Sequence, residues 1–180
     1  MIFNNHTYNK LNKKISCEFF QRDVLEVAPD LLGKTICRKF SNNEIRSFVI
    51  TEVEAYRGEE DLACHASKGK TQRTEVMYFE GGFVYVYLIY GMYYLLNFVT
   101  SVQNNPQAVL IRGVDAISGP GRVGKLLQID KSLNKLNLCT SDEIWVEPND
   151  LPVKYITSNR VGIEYAGDYW KNKPWRFIKV

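Results

Sequence analysis

The segment TEVEAY carries two carboxylates, Glu52 and Glu54, whose spacing suggests chemistry. On a β-strand these side chains share a face and lie roughly 7 Å apart. Two carboxylates so placed suit acid–base work on a glycosidic bond, although glutamates at an exposed strand end are an equally simple interpretation. Strict alternation also puts Phe48, Ile50 and Tyr56 on that face. This indicates a core or a cleft, in which both carboxylates need partners or raised pKa values.

An arginine and a histidine are the other candidates for polar chemistry. Arg112 lies inside the apolar run AVLIRGV. A guanidinium there keeps its charge and must meet a carboxylate, carbonyl groups or a phosphate. A structural ion pair would satisfy it, but a position near Glu54 would place it in a site. His65 lies in the long polar connection 57–82, and such connections are often functional, although a histidine beside small apolar neighbours is more often simply packed.

The segment 81–100, GGFVYVYLIYGMYYLLNFVT, is the most aromatic part of the chain and is uncharged. Its aromatic and β-branched residues favour strands and Gly91 supplies turn geometry, so the segment predicts a β-hairpin. The first strand is apolar on both faces, which is typical of a strand covered on both sides. Tyr90 falls at the tip, where it is either ordinary exposed surface or an aromatic wedge aimed at something flat such as a nucleobase.

The bulk composition fits a globular protein of a reducing compartment. The chain has 180 residues, 45% hydrophobic and 13% aromatic, and its net charge of +3 is only a weak hint of a polyanionic partner. The four cysteines are scattered without a CxxC pair and only two histidines are present, which argues against structural zinc and favours free thiols. We find no signal peptide and no apolar run that is long and helical enough to span a bilayer.

Local patterns place these residues on a sheet with short helices. Strands are predicted at 34–40, 45–56, 108–114, 143–147, 160–165 and 175–180, a helical region at 19–32 capped by Asp23, and a further helix beginning at Pro120. These elements predict an α+β fold, with one compact domain over residues 16–180. It would have a curved, mostly antiparallel β-sheet, short peripheral helices and a protruding β-hairpin. Residues 1–15 are predicted to form a loose N-terminal arm.

The motifs, taken in order, resemble those of the alkyladenine (3-methyladenine) DNA glycosylases of the mammalian alkyl-purine type. They are DLLGKTICR, TEVEAY, ACH, MYFEGGFVYVYLIYGMYYLLN, VLIRGV, SGPGR, RVGIEYAG and KPWRF, and they cover nearly the whole chain beyond the arm. YVYLIYGMYYLLN together with a matching TEVEAY is far more specific than any single motif.

The resemblance implies catalytic and base-binding roles for five positions. Glu54 matches the general base that activates water for attack on the anomeric carbon of the sugar. Arg112 matches the arginine that helps to hold that water. Tyr56, His65 and Tyr87 match the residues that sandwich and hydrogen-bond a flipped base.

The resemblance also implies contacts with the rest of the DNA. Asn97 matches a pocket residue that disfavours normal guanine. Tyr90 matches the tyrosine that enters the minor groove and fills the gap in the base stack. Met92, Arg122 and Lys125 are expected to lie along the DNA backbone.

These roles imply a base-excision-repair DNA glycosylase that removes alkylated or deaminated purines from double-stranded DNA. The expected substrates are 3-methyladenine and 7-methylguanine, with hypoxanthine and ethenoadenine as further candidates. We expect a monofunctional enzyme, since no activated lysine is evident, and we expect no metal and no organic cofactor. The chain is further expected to be a monomer without a membrane partner, located in the cytoplasm and associated with the nucleoid.

Other functions remain open at the level of the sequence. A non-catalytic damaged-DNA-binding module would keep the pocket and the wedge, but it would not need both Glu54 and Arg112. A carbohydrate hydrolase could use Glu52 and Glu54, but it gives Tyr90 no obvious role. A structural domain would leave Arg112 unexplained.

Overall fold

A nine-stranded antiparallel β-sheet forms the framework of the computed structural model, which describes residues 14–149 and 151–180. Its strands are β1 (Thr35–Lys39), β2 (Ile45–Arg57), β3 (Val84–Ile89), β4 (Tyr93–Thr100), β5 (Gln107–Val114), β6 (Ile117–Ser118), β7 (Ile144–Glu147), β8 (Tyr155–Ser158) and β9 (Arg176–Lys179). The strand order is β3-β4-β5-β2-β1-β7, β6 pairs with β5, and β9 joins β8 to β2. The prediction of an α+β fold around an antiparallel sheet, with a β3–β4 hairpin, is confirmed.

The helices of the described ranges are short. They are α1 (Cys17–Phe20), α2 (Val24–Leu31), α3 (Pro120–Leu126) and α4 (Gly167–Lys171), with 3-10 turns at His65–Lys68, Glu75–Tyr78, Lys131–Leu133 and Glu164–Ala166. Asp23 caps α2 as predicted, because its carboxylate accepts the N–H of Leu25 at 2.9 Å. None of these helices is long and apolar enough to cross a membrane.

Apolar side chains pack against both faces of β3 near its base. Val84 and Val86 belong to the main core, which also contains Leu31 of α2. Tyr85 points the other way and joins a second cluster with Met77. The prediction that this strand is covered on both faces is therefore confirmed, and the packed base gives the hairpin a rigid support for its tip.

Strand β2 departs from the strict alternation that its sequence suggests. Its register with β5 shifts between Ile50 and Glu52 and again between Glu52 and Val53. Because of this irregularity, Ile50 packs in the same core as Val53 and Ala55. The prediction that Ile50 shares a face with Glu52 is therefore wrong. The bulge thus places Ile50 on the core face together with Val53 and Ala55, and leaves Glu52 and Glu54 on the opposite face.

The predicted strand at 160–165 is also wrong. Gly162 adopts φ 75°, and Glu164–Ala166 forms a 3-10 turn, so the extended conformation is broken in the middle of the segment. A short strand lies before this segment, β8 (Tyr155–Ser158), which pairs with β9. Residues 160–163 are left as a loop, and this loop lies against the site described below.

The N-terminal part of the described chain is attached to the sheet. Residues 1–13 of the predicted arm lie outside the described residues. Ile15 is buried and donates its N–H to the carbonyl of Val146 at 2.8 Å. Lys14 forms an ion pair with Asp142 at 2.7 Å.

Two of the four cysteines form a disulfide, between Cys17 of α1 and Cys139. The expectation of free thiols is wrong for this pair. Their separation of 122 residues gives no local signal. They meet because both segments pack on Gly82 at the base of the hairpin, where an added Cβ would lie 3.1 Å from the Cys139 Sγ and 3.4 Å from the Cys17 Sγ.

Candidate active site

A cleft of about 640 Å³ lies beside the hairpin, which is a volume typical of small-molecule sites. Strands β2 to β5, the start of α3 and the loop 161–163 contribute to its walls. The predicted site residues that line it are Tyr56, His65, Tyr87, Tyr90, Asn97, Arg112 and Arg122. The fold therefore brings together residues that the chain separates by up to 66 positions (122 − 56).

Glu54 does not line the cleft but lies fully buried behind its wall. Its Oε1 accepts the N–H of Val161 at 2.8 Å and lies 3.4 Å from Nη1 of Arg112, and its Oε2 accepts the hydroxyl of Tyr56 at 2.8 Å. An ionised carboxylate offers roughly four acceptor positions, so one is left for a water. That water would have to enter between the three partners of Glu54.

The pKa of Glu54 is set by two opposing effects. Burial raises the pKa of the carboxyl above its usual range, whereas Arg112, the Val161 N–H and the Tyr56 hydroxyl lower it. The raising effect is the larger. The carboxylate is therefore more basic than an exposed glutamate, which suits a group that takes a proton from water near neutral pH.

Arg112 meets both carboxylates of the TEVEAY segment. Its Nε donates to Oε1 of Glu52 at 3.0 Å, and its Nη1 reaches Glu54. Glu52 also accepts from Nη1 of Arg176 at 3.3 Å and from the hydroxyl of Ser118 at 3.2 Å. Glu52 thus holds the guanidinium of Arg112 in place next to Glu54.

Aromatic rings form the inner part of the cleft. Nδ1 of His65 lies 2.9 Å from the hydroxyl of Tyr85, and the rings of His65 and Tyr87 meet edge to face at 4.5 Å. The guanidinium of Arg73 lies 5.4 Å from the centre of the Tyr87 ring. Burial, together with the positive charges of Arg73 and Lys68, lowers the pKa of His65 to about 4.

We expect His65 to stay neutral through the physiological range. In an NMR titration of labelled histidine, assigned with His65→Gln, its ring should titrate near pH 4 rather than near 6.5. Because the folded-state pKa is lowered, the stability linked to His65 is complete above about pH 6.5 and is lost as the pH falls towards 4. A titration midpoint near 6.5 would contradict this packing of the ring.

Asn97 lies in the floor of the cleft and is buried. Its side-chain nitrogen donates to the carbonyl groups of Tyr85 at 3.2 Å and Leu95 at 3.4 Å. These two bonds fix the amide across the β3–β4 hairpin. An amide held in this way cannot move aside easily for a bulky substituent on a bound base.

The hairpin tip holds Tyr90 out in solvent, with 81% of its surface exposed. Tyr90 and Gly91 both adopt left-handed backbone conformations, with φ 53° and 66°, and the N–H of Met92 donates to the carbonyl of Ile89 at 3.2 Å. A left-handed conformation is strained for a tyrosine, by about 1 to 3 kcal/mol. Met92 is also mostly exposed. The tip thus presents two apolar side chains that nothing in the described chain covers.

The predicted backbone-binding cations lie on α3, beside the hairpin. Arg122 and Lys125 are exposed, and Nζ of Lys125 lies 4.6 Å from the centre of the Tyr93 ring. The glycines of this segment serve close packing, because a Cβ at Gly121 would lie 2.8 Å from Tyr93 and one at Gly124 would lie 2.1 Å from a backbone oxygen of β4. This packing sets α3, and with it both cations, against the hairpin.

Sequence reasoning missed a buried ion pair beside the site, between Arg160 and Asp61. Asp61 ends the acidic run EED, whose sequence gives no sign of burial, and Arg160 was placed on a predicted strand that does not form. The two residues are 99 positions apart, so no local pattern links them. Tyr165, which also lines the cleft, was missed as well.

Comparisons with known proteins identify the family of the chain. The family model described as Methylpurine-DNA glycosylase (MPG) matches residues 18–118 and 113–180. A Wolbachia protein of the Brugia malayi subspecies is 47% identical, with 92% of this chain and 97% of that protein covered. A Rickettsia felis protein is 44% identical, with 89% and 90% covered, and a Natranaerobius thermophilus protein is 42% identical, with 91% and 94% covered. All three carry the name "Putative 3-methyladenine DNA glycosylase".

The family match covers almost the whole described chain, and the relatives align over nearly their full length. The chain therefore belongs to the methylpurine-DNA glycosylase family and is a DNA N-glycosylase.

Proposed function

We propose that this protein rotates alkylated or deaminated purine nucleotides out of duplex DNA and hydrolyses their N-glycosidic bond with a water activated by Glu54, without cutting the strand. One observation carries the proposal. A fully buried carboxylate, held by Arg112, stands directly behind a cleft walled by tyrosines, and a mostly exposed tyrosine projects beside the same cleft.

The chemical step assigns separate tasks to Glu54 and Arg112. As the base departs, positive charge develops on the sugar, and the Glu54 carboxylate both stabilises that charge and takes a proton from the attacking water. Arg112 lies 3.4 Å from Oε1 of Glu54, the oxygen that also accepts the Val161 N–H, and it keeps the carboxylate oriented and ionised. The rings of Tyr56 and Tyr87, which line the cleft, would shield a bound base from bulk water.

Two features of the cleft act in opposite directions on a charged lesion. The π-faces of Tyr56 and Tyr87 favour cationic bases such as 3-methyladenine and 7-methylguanine. The guanidinium groups of Arg73, Arg112 and Arg122, which also line the cleft, oppose a cation and favour neutral bases such as hypoxanthine and ethenoadenine. We therefore propose both classes as substrates.

The exposed hairpin tip and α3 would hold the DNA. Unstacking a nucleotide costs a few kcal/mol and is easiest at damaged or mismatched bases. Tyr90 would offset part of this cost by entering the vacated position in the stack. Met92 beside Tyr90 at the tip, and the exposed Arg122 and Lys125 on α3, would contact the DNA backbone.

An oligonucleotide assay tests this proposal. Duplexes that each carry one 7-methylguanine, hypoxanthine or ethenoadenine are incubated with the protein and then treated with alkali. We expect protein-dependent strand breaks at the lesion only after alkali, no more than background in the same lesion duplex without protein, and no adduct after borohydride. Binding without base release would instead support a non-catalytic damaged-DNA-binding module. A trapped adduct would show an amine nucleophile and contradict the monofunctional mechanism.

A further inference from the structure

Arg160 and Asp61 form an ion pair that is completely removed from solvent. Nη1 of Arg160 lies 2.5 Å from Oδ2 of Asp61, and Nη2 lies 2.9 Å from Oδ1, so the contact is bidentate. Buried ion pairs of this kind contribute little net stability, since apolar replacements of similar volume are often neutral or stabilising. Net stability alone therefore does not explain why this pair lies beside the site.

The guanidinium of Arg160 contacts the strand segment that carries the proposed base. Nη1 also donates to the carbonyl of Ala55 at 2.9 Å, which is the residue between Glu54 and Tyr56. The guanidinium lies 4.8 Å from the centre of the Tyr56 ring and 5.0 Å from that of Trp175. It is thus stacked between two rings, one of which is a wall of the cleft.

The chain that follows Arg160 reaches Glu54 directly. The N–H of Val161 donates to Oε1 of Glu54 at 2.8 Å. This loop has no strand partner at that point, and Gly162 adopts a left-handed conformation. The anchored guanidinium of Arg160 therefore fixes the position of the Val161 amide, and with it one hydrogen bond of Glu54.

Asp61 extends the same arrangement to the connection that precedes His65. Its Oδ2 accepts the N–H of Arg57 at 3.1 Å, and its Oδ1 accepts the N–H of Ala63 at 3.1 Å. Ala63 lines the cleft and lies two residues before His65. The pair therefore joins three segments that meet at the site: the end of β2, the connection before His65, and the loop 160–163.

We propose that the Arg160–Asp61 pair is a positioning device for base release, which holds the Glu54 carboxylate and the Tyr56 ring in their working arrangement. Neither side chain lines the cleft, so both act through Val161, Ala55 and Tyr56. The inference rests on the proposed function, because the working arrangement is the one used for excision.

Charge provides a readout that a purely structural role would not move. The groups near Glu54 are Arg112 on β5, Glu52 and Tyr56 on β2, Tyr87 on β3, and Arg160 and Tyr165 from the C-terminal part of the chain. The positive charge of Arg160 lowers the pKa of Glu54. Base release needs an ionised Glu54, so the pH below which release fails should shift when the charge of Arg160 or Asp61 is removed.

The test measures single-turnover base release and lesion-DNA affinity against pH in Arg160→Lys, Arg160→Met and Asp61→Asn. Each variant loses charged hydrogen bonds, so we expect release to slow by about 10- to 100-fold. Affinity should change far less. The pH below which base release fails should rise in Arg160→Met, which loses a positive charge near Glu54. It should fall in Asp61→Asn, which loses a negative charge, and it should change little in Arg160→Lys, which keeps the positive charge. Arg38→Met is the matched control, because Arg38 is also buried but bonds to carbonyl groups away from the cleft.

The double variant Asp61→Leu with Arg160→Met covers the case in which a single variant unfolds. It removes both charges together, and we expect a folded protein with slow base release. A folded double variant that releases base at a rate within about twofold of the wild type would overturn the proposal. An unfolded double variant would overturn it as well, since the pair would then be needed for folding. Failure of the wild-type protein to release any lesion would count against the proposed function instead.

Discussion

Replacing Glu54 with glutamine is expected to abolish base release while the variant still binds lesion DNA. Glutamine has nearly the same shape and can still accept the Val161 N–H, but it cannot take a proton from water or stabilise positive charge on the sugar. A general base contributes about 10²- to 10⁴-fold, and the lost charge adds to this, so single-turnover release should fall by at least about 10³-fold.

Two further glutamates supply the controls for this experiment. Glu26 is exposed on α2, and Glu26→Gln should leave the rate unchanged. Glu52→Gln should slow release less than Glu54→Gln, because Glu52 acts through the groups that it holds, chiefly Arg112 and Arg176. Near wild-type release by Glu54→Gln would remove Glu54 as the base, and a larger loss in Glu52→Gln would reverse the assignment of the two carboxylates.

The pH dependence of the wild-type rate follows from the burial of Glu54. The base must be ionised, and burial raises the pKa of its carboxyl above 4.5. As the pH is lowered, the rate of base release should therefore fall already at a pH above 4.5. The residual rate of Glu54→Gln should not show this decline. His65 should add no limb near pH 6.5, because its ring is already neutral there.

The sheet and the hairpin were predictable because their signals are local. The aromatic run 81–100 contains both strands and the turn residue Gly91, and packing on both faces follows from its uninterrupted apolar pattern. The sequence predicted that Arg112 has a partner, since a charge inside an apolar strand needs one, but it left open whether that partner is Glu54. Features of this kind depend on neighbouring residues and on simple alternation.

The remaining features depend on irregular backbone and on distant contacts. The bulge at Ile50–Val53 places Ile50 on the face opposite to Glu52, and no residue type in that stretch predicts the bulge. The Arg160–Asp61 pair and the Cys17–Cys139 disulfide join segments 99 and 122 residues apart, so only the folded chain reveals them. The site could thus be predicted as a set of residue types, whereas the way in which Glu54 is held could not.

Tyr90 at the hairpin tip is expected to be needed for nucleotide flipping but not for folding. Its ring is mostly exposed, so removing it loses few contacts within the protein. In the complex, stacking of an aromatic ring on a base is worth about 1 to 3 kcal/mol. Tyr90→Ser should therefore weaken flipping by about 10- to 100-fold, measured by the fluorescence of a base analogue next to the lesion.

Two substitutions at the same position separate stacking from backbone strain. Tyr90→Phe keeps the ring and should flip normally. Tyr90→Gly suits the left-handed backbone at φ 53°, so the variant should be at least as thermally stable as the wild type and yet flip as poorly as Tyr90→Ser. Tyr169→Ser, at an exposed tyrosine of α4, is the matched control. If all four variants flip normally, Tyr90 is ordinary surface, and the strain at the hairpin tip has no part in binding DNA.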